Sequence, residues 1–303
     1  MLAPDEATAV ILNVTAGARA TDERVQEVEQ LFRAAGREAT VLAAHSGSEL
    51  ATATAAAIAS GAKVIVAAGG DGTVNSVVSA MQGHDITLGV LPLGTLNHFS
   101  KDLGIPQELA QAVAVIVAGH RTQVDVAEVN GRLFLNNSSL GLYPRIVELR
   151  QRFPAHGMRK WIIAGWATFR VLRHNPTLGL RLVVDGEPVL RRTSLVMIGN
   201  NPYRMTGLDA GGRDSLTTGE LGVYVVQARR RWHLLRLVWR MLSKGELTGQ
   251  LEMVSAESVT IEARHHFVRV AVDGEVAVLK APLEYKIRPL ALDVLVPATA
   301  GAR

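Results

Sequence analysis

The sequence predicts an α/β first domain built on a parallel sheet, followed by a mainly β second domain of sandwich type. Up to about residue 122, short apolar runs alternate with stretches of helical periodicity, and repeated βα units imply parallel strands with helices on both faces. Beyond residue 122, apolar β-branched runs are separated by the turn pairs Asn130-Gly131, Asp185-Gly186 and Asp273-Gly274. A chain of 303 residues with 48% hydrophobic content is long enough for two sizeable cores.

Residues 10–14 read as a strand, and Val25, Val28, Leu31, Phe32 and Ala35 then share one helical face. A strand over 39–43 precedes an alanine-rich helix from Ser48 that Gly61 closes. Strand 63–68, helix 73–81, strand 87–91 and a helix from Pro106 to about Ala118 follow. In the second half, 124–129 and 132–136 flank the first hairpin turn, and further strands are expected at 194–198, 223–226, 258–262 and 268–272.

The first functional signal lies between the third strand and its helix. An apolar run ends in Gly69-Gly70-Asp71-Gly72-Thr73-Val74-Asn75, which reads as a buried strand, a tight turn and a helix start. Glycines let the backbone approach an anion closely, and a helix N-terminus presents free N–H groups to it. Asp71 would repel a bare phosphate there, so the acid points to a bridging metal ion or to proton handling. The loop ends without a lysine and its glycines are not spaced as GxGxxG, so it is neither a P-loop nor a dinucleotide fingerprint. Ligands of such sheets bind at the carboxyl ends of strands, where Asn13, residues 69–73 and residues 94–97 all fall.

The net charge is only +4, but the basic residues are clustered. Residues 145–173 and 228–244 together hold thirteen basic residues and one acid, Glu148. Each segment also carries a tryptophan-containing helical pattern. One has Trp161 and Trp166 and extends from Arg159 through Arg173. The other runs from Arg229 through Lys244, with Trp232, Leu235, Trp239 and Leu242 on one face and Arg229, His233, Arg236 and Arg240 on another. Interfacial helices that meet anionic headgroups are built this way, although core tryptophans beside solvated arginines would give the same pattern. No RNA-binding or zinc-finger motif accompanies the charge, so a nucleic-acid partner is not expected. No apolar stretch reaches the length of a membrane span, no signal peptide is evident, and the chain has no cysteine. A cytoplasmic location is expected from these features.

Taken as a set, the motifs resemble the diacylglycerol kinase catalytic-domain family, the bacterial soluble lipid kinases related to sphingosine kinases. Residues 69–73 match its GGDGT signature. Leu91-Pro92-Leu93-Gly94-Thr95-Leu96-Asn97-His98-Phe99 is similar to its P-x-GT-x-N segment, with His98 where an aspartate is usual. Asn13-Val14-Thr15-Ala16-Gly17 is similar to its N-P-x-(S/A)-G, and Val272-Asp273-Gly274-Glu275 to its (V/I)DGE. The order and spacing hold across essentially the whole chain.

The resemblance implies phosphoryl transfer from ATP, with Mg²⁺, to a lipid hydroxyl. Asp71 would serve the metal and nucleotide, with Asn13, Gly69, Gly70, Gly72, Thr73, Asn75, Thr95 and Asn97 around the nucleotide. Glu275 would be the general base with Asp273 beside it, although some relatives give that role to the glycine-loop aspartate. The first domain would span 1–122, completed by 286–303, and the second 123–285. The expected partners are a lipid substrate and an anionic membrane surface, the latter making the enzyme a peripheral membrane protein; oligomeric state is left open. Two departures stand out. Thr218 occupies the place of the aspartate that supplies a structural Mg²⁺ site in bacterial relatives, and a neutral hydroxyl is a poor hard-cation ligand. Residues 43–45 lack an expected threonine. A soluble-metabolite kinase related to NAD kinase and a non-catalytic membrane-binding relative are the competing readings.

Overall fold

The computed structural model describes residues 6–14, 21–141, 144, 178–193, 195–204, 212–226 and 251–298. The two basic tryptophan-containing segments and Thr15, Ala16 and Gly17 lie outside the described residues. The chain forms two compact units: Met1–Val126 with Ser215–Thr217 and Pro289–Arg303, and Ala127–Asp214 with Thr218–Arg288.

The first unit alternates strand and helix. In order these are β1 (Thr8–Asn13), α1 (Thr21–Ala34), β2 (Thr40–Ala44), α2 (Gly47–Ala59), β3 (Val64–Gly69), α3 (Asp71–Met81), β4 (Thr87–Pro92), α4 (His98–Asp102) and α5 (Leu109–Ala118). The strands pair in parallel in the order β2-β1-β3-β4. All six residues of β3 and of β4 are buried, as expected when helices cover both faces of a parallel sheet.

Local chemistry sets the helix limits. Ser46 caps α2 by accepting from the Glu49 N–H, while the Glu49 carboxylate accepts from the His45 N–H. The His45 and Ser46 hydrogen bonds hold the Glu49 carboxyl below its ordinary pKa. α5 begins at Leu109 rather than near Pro106, because the Glu108 carboxylate accepts from the Ala110 and Gln111 N–H groups and so defines the cap. α3 begins at Asp71, two residues before its expected start, so the helix N-terminus lies within the glycine loop.

The second unit contains two antiparallel sheets. One pairs β8 (Leu178–Val184) with β9 (Glu187–Thr193) and β13 (Ser258–Ala263), and β13 with the first part of β16 (Leu283–Leu295). The other follows the order β12 (Leu251–Ala256), β11 (Leu221–Val226), β10 (Leu195–Asn200), β7 (Asn137–Gly141), β14 (Phe267–Val272) and β15 (Glu275–Lys280). Val223, Val225, Val270 and Val272 from the second sheet share a core with Val259, Ile261, Leu283 and Tyr285 from the first, which makes the unit a β-sandwich. β12 had no counterpart in the sequence reading.

Two strands carry the chain between units. β5 (Arg121–Val129) pairs with β6 (Arg132–Phe134) through its last residues, and the end of β16 pairs in parallel with β4, Val294 opposite Leu88. Within β16, Leu290 has a positive φ of 50°, and its N–H donates to the buried Asp125 carboxylate at 2.9 Å.

The expected single strand over 132–136 is interrupted. β6 stops at Phe134 because the Leu135 and Asn136 N–H groups turn toward one carboxylate instead of a neighbouring strand. β7 starts at Asn137, whose N–H joins the same carboxylate while the residue pairs with Gly199 of β10.

Candidate active site

At the end of β3 the glycine loop packs against residues 94–97. A Cβ on Gly94 would collide with the Gly70 Cα, and one on Gly70 would come within 3.3 Å of the Gly94 Cα. A Cβ on Gly69 would strike the Thr73 side chain. Gly72 is different: a Cβ there meets nothing within 4 Å, and the residue is exposed. Three of these glycines therefore allow close backbone approach inside the protein, while Gly72 leaves open space beside the start of α3.

Asp71 joins the two loops. Its carboxylate accepts from the His98 N–H at 3.1 Å and the Phe99 N–H at 3.0 Å, holding the first turn of α4. That short helix was not foreseen, and it gives Asp71 a structural task that the metal assignment did not include. Asn97, in a left-handed conformation at φ 51°, donates to the Gly94 carbonyl at 3.0 Å and to Gln107 Oε1 at 3.1 Å. Asn13 donates to the Thr73 hydroxyl at 2.8 Å, which ties the end of β1 to the loop. Thr95 is exposed.

Two buried acceptors here lack partners among the described residues: Asn75 Oδ1 and Asn97 Oδ1. A buried oxygen without a donor costs about 1–3 kcal/mol, a cost that a ligand hydroxyl or amino group would relieve. Open space at Gly72, a helix N-terminus and two waiting acceptors fit a nucleotide. A protein-only metal cage is absent: no group of three or more His, Cys, Asp or Glu residues among the described residues could hold an ion. A Mg²⁺ here would have to share its ligands with phosphates, as this ion commonly does.

The second cluster lies in the second unit. Asp273, at φ 46°, begins the turn between β14 and β15. Its carboxylate accepts from the N–H groups of Leu135 at 2.8 Å, Asn136 at 2.9 Å and Asn137 at 3.0 Å, and its own N–H donates to the Asn137 carbonyl. Burial pushes its pKa up to about 6, against the opposing pull of these three N–H groups and the Arg213 charge. Two residues on, Glu275 points into solvent and pairs with Arg132 at 2.8 Å. Asp273 is thus the held carboxylate of the pair, and Glu275 the accessible one.

Sequence reading missed the groups behind Asp273. Arg213 is only 5% exposed. It donates to the Leu135 carbonyl at 2.6 Å, the Asn200 carbonyl at 2.9 Å and Asn136 Oδ1 at 3.0 Å, and lies 5.4 Å from the Tyr203 ring centre. No spacing signal marks a lone arginine between Gly212 and Asp214 as buried.

The position of Thr218 does not fit the family's structural Mg²⁺. Its hydroxyl accepts from Asn201 Nδ2 at 2.9 Å and the Glu220 N–H at 3.3 Å. The nearby acid Asp214 pairs instead with Arg204 at 3.2 Å.

A model of the diacylglycerol kinase catalytic domain matches residues 7–129, and one of a C-terminal NAD kinase β-sandwich-like domain matches 154–296. The chain is similar to a diacylglycerol kinase of Mycobacterium tuberculosis, 30% identical over 252 residues and 80% of each chain. It is also similar to one of Staphylococcus saprophyticus, 26% identical over 275 residues and 88% of each chain. Among solved structures, a diacylglycerol kinase from Bacillus anthracis shares the fold, with a TM-score of 0.71 at 21% identity over 97% of this chain and 98% of that one. The glycine loop, the sandwich and these similarities lead to one assignment: the chain belongs to the diacylglycerol kinase catalytic-domain family and is a kinase.

Proposed function

We propose that this kinase transfers the γ-phosphate of ATP to the hydroxyl of a membrane lipid, with diacylglycerol as the leading acceptor. The observation that carries the reading is the glycine loop, where open space at Gly72 adjoins the α3 N-terminus and the buried acceptors of Asn75 and Asn97 await donors. Gly69, Gly70, Gly72 and Thr73 would cradle the phosphates, and Asn13, Asn75, Thr95 and Asn97 would orient the nucleotide. Asp71 would keep the two loops together and face a Mg²⁺ that arrives with the nucleotide. Such an ion would neutralise phosphate charge during transfer.

Glu275 is our choice of general base because its carboxylate is accessible, whereas Asp273 is engaged by three N–H groups. In the step proposed, the acceptor oxygen forms a bond to the γ-phosphorus as the bond to the bridging oxygen breaks. ADP leaves, and the hydroxyl proton passes to Glu275. No helix among the described residues is long and apolar enough to cross a membrane. Contact with the lipid would then use the basic segments from Arg159 to Arg173 and from Arg229 to Lys244.

The direct test is incubation with labelled ATP and a total lipid extract, followed by identification of the product. Label in organic-soluble phosphatidic acid is expected. Label confined to water-soluble products, with none added to lipid, would favour a soluble-metabolite kinase. For the membrane assignment, replacing Arg230, Arg231, Arg236 and Arg240 with glutamine should weaken binding to phosphatidylglycerol vesicles. Each basic residue contributes about 1 kcal/mol near an anionic surface. Activity on a short-chain soluble acceptor should survive, and equal loss on both acceptors would overturn the surface role.

A further inference from the structure

The turn that carries Glu275 is anchored from behind. Residues 135–137 form the wall against which Asp273 is fixed, since all three of their N–H groups bind its carboxylate. Within that wall, residues 135 and 136 belong to neither β6 nor β7. On its far side, one buried guanidinium binds the Leu135 carbonyl and Asn136 Oδ1, and reaches the Asn200 carbonyl at the end of β10. The same carbonyl of Leu135 accepts from Asn200 Nδ2 at 3.1 Å. A chain of contacts therefore runs from Arg213 through residues 135 and 136 to Asp273, and through Gly274 to Glu275.

We propose that Arg213 is a positioning residue for phosphoryl transfer, setting the place of the Asp273-Gly274-Glu275 turn through the peptides of residues 135 and 136. The inference rests on the reading of Glu275 as the base. Three features favour this over simple filling of the interior. A planar fork serves several acceptors in a fixed geometry, which a flexible ammonium does not reproduce. A buried cation is expensive unless charge and hydrogen bonds compensate it, and the carboxylate on the other side of the wall is that of Asp273. Both side-chain links from the turn, Asp273 to residues 135–137 and Glu275 to Arg132, end on the stretch between residues 132 and 137, so displacing that stretch displaces the base.

The test is steady-state kinetics on Arg213→Lys, Arg213→Met and Asn136→Ala, with Glu275→Gln as reference and thermal unfolding of each. We expect Arg213→Met to lower kcat by at least about tenfold while the KM for nucleotide stays within about twofold, the signature of a misplaced catalytic group. Arg213→Lys should recover part of the loss. Asn136→Ala removes one of the acceptors named above and should lower kcat by a few-fold in a folded protein, so the outcome does not depend on Arg213→Met folding. Wild-type kcat in both Asn136→Ala and Arg213→Lys, alongside an inactive Glu275→Gln, overturns the proposal. So does a rise in nucleotide KM that accounts for the whole loss. A Glu275→Gln enzyme at the wild-type rate overturns the assignment of the base instead.

Discussion

Around the glycine loop the chain works mainly with backbone: five consecutive residues, 69–73, meet another short stretch, 94–97, at glycine contacts. Around Asp273 it works with polar side chains, those of Asp273, Arg213, Asn200 and Asn136, which close on the peptide groups of residues 135–137. The first cluster is a local motif whose residue types follow from geometry, since only glycine tolerates the approach of Gly70 to Gly94. The second is assembled by hydrogen bonds where β10 ends, β7 begins and β14 ends within one sheet, and its residues stand far apart in sequence. Each cluster holds one acid in structural service, Asp71 on the α4 N–H groups and Asp273 on those of residues 135–137. They differ in what each acid presents. Asp71 sits beside the open space at Gly72, whereas the Asp273 carboxylate is taken up by three N–H groups and leaves the exposed position to Glu275.

If that division is right, the largest effects belong to the two presenting groups. Glu275→Gln should lower kcat by about 10²–10⁴, with nucleotide affinity intact because the base acts on the acceptor. Loss of nucleotide binding in this variant would move Glu275 to the metal site. Asp71→Asn should lower turnover by about 10²–10³ and also loosen the join between the loops. Near wild-type turnover would remove Asp71 from the chemistry and leave it only the α4 contacts.

The contrast explains what the sequence could reveal. The parallel strands β1, β3 and β4 and the loop beyond β3 were legible because buried parallel strands are continuous apolar runs and glycine-rich turns punctuate them. Asn13, Thr73, Gly94 and Asn97 could be picked out because each lies at a strand end or in a short motif. Arg213, Asn200 and Asn136 could not. Their significance comes from contacts 13 to 78 positions away, and no local period reports those. The break between β6 and β7 was hidden for the same reason, since the carboxylate that claims residues 135–137 belongs to residue 273.

A pair of glycine substitutions sharpens the comparison within the first cluster. Gly94→Ala must push the Gly70 backbone aside and should cost about 1–3 kcal/mol of stability. Gly72→Ala meets nothing and lies in a helix, so stability should hold or rise by up to about 1 kcal/mol. Nucleotide affinity should nevertheless fall in Gly72→Ala, as isothermal titration would measure. If both variants lose stability equally, Gly72 does not border open space.

The second cluster has a pH signature. The Asp273 pKa, raised to about 6, lies above the value near 3.9 of an unfolded aspartate, so between these values the folded protein binds more proton. This group's contribution to stability is therefore greatest below about pH 4 and is lost as pH rises toward about 6. Asp273→Asn cannot titrate and cannot accept from all three N–H groups on equal terms. It should be less stable than wild type by about 1–3 kcal/mol, with the gap narrowing as pH rises from about 4 to 6. A gap that widens over that window would mean the N–H groups and Arg213 outweigh burial.

The smallest expected effect concerns Thr218. The family's aspartate at this place is replaced by a hydroxyl that already accepts from Asn201 and from the Glu220 N–H. A neutral pair of hydroxyl and amide offers a hard divalent cation little, because it supplies no carboxylate to balance the charge. Unfolding of this protein without nucleotide should therefore be indifferent to chelator, with a Tm unchanged by EDTA or by millimolar Mg²⁺. Thr218→Asp restores a carboxylate beside Asn201 and should make Tm rise with Mg²⁺, since a ligand that binds only the folded state stabilises it in proportion to the logarithm of its concentration. A chelator-sensitive Tm in the wild type would mean that a cation binds where the Asn201 to Thr218 hydrogen bond now stands.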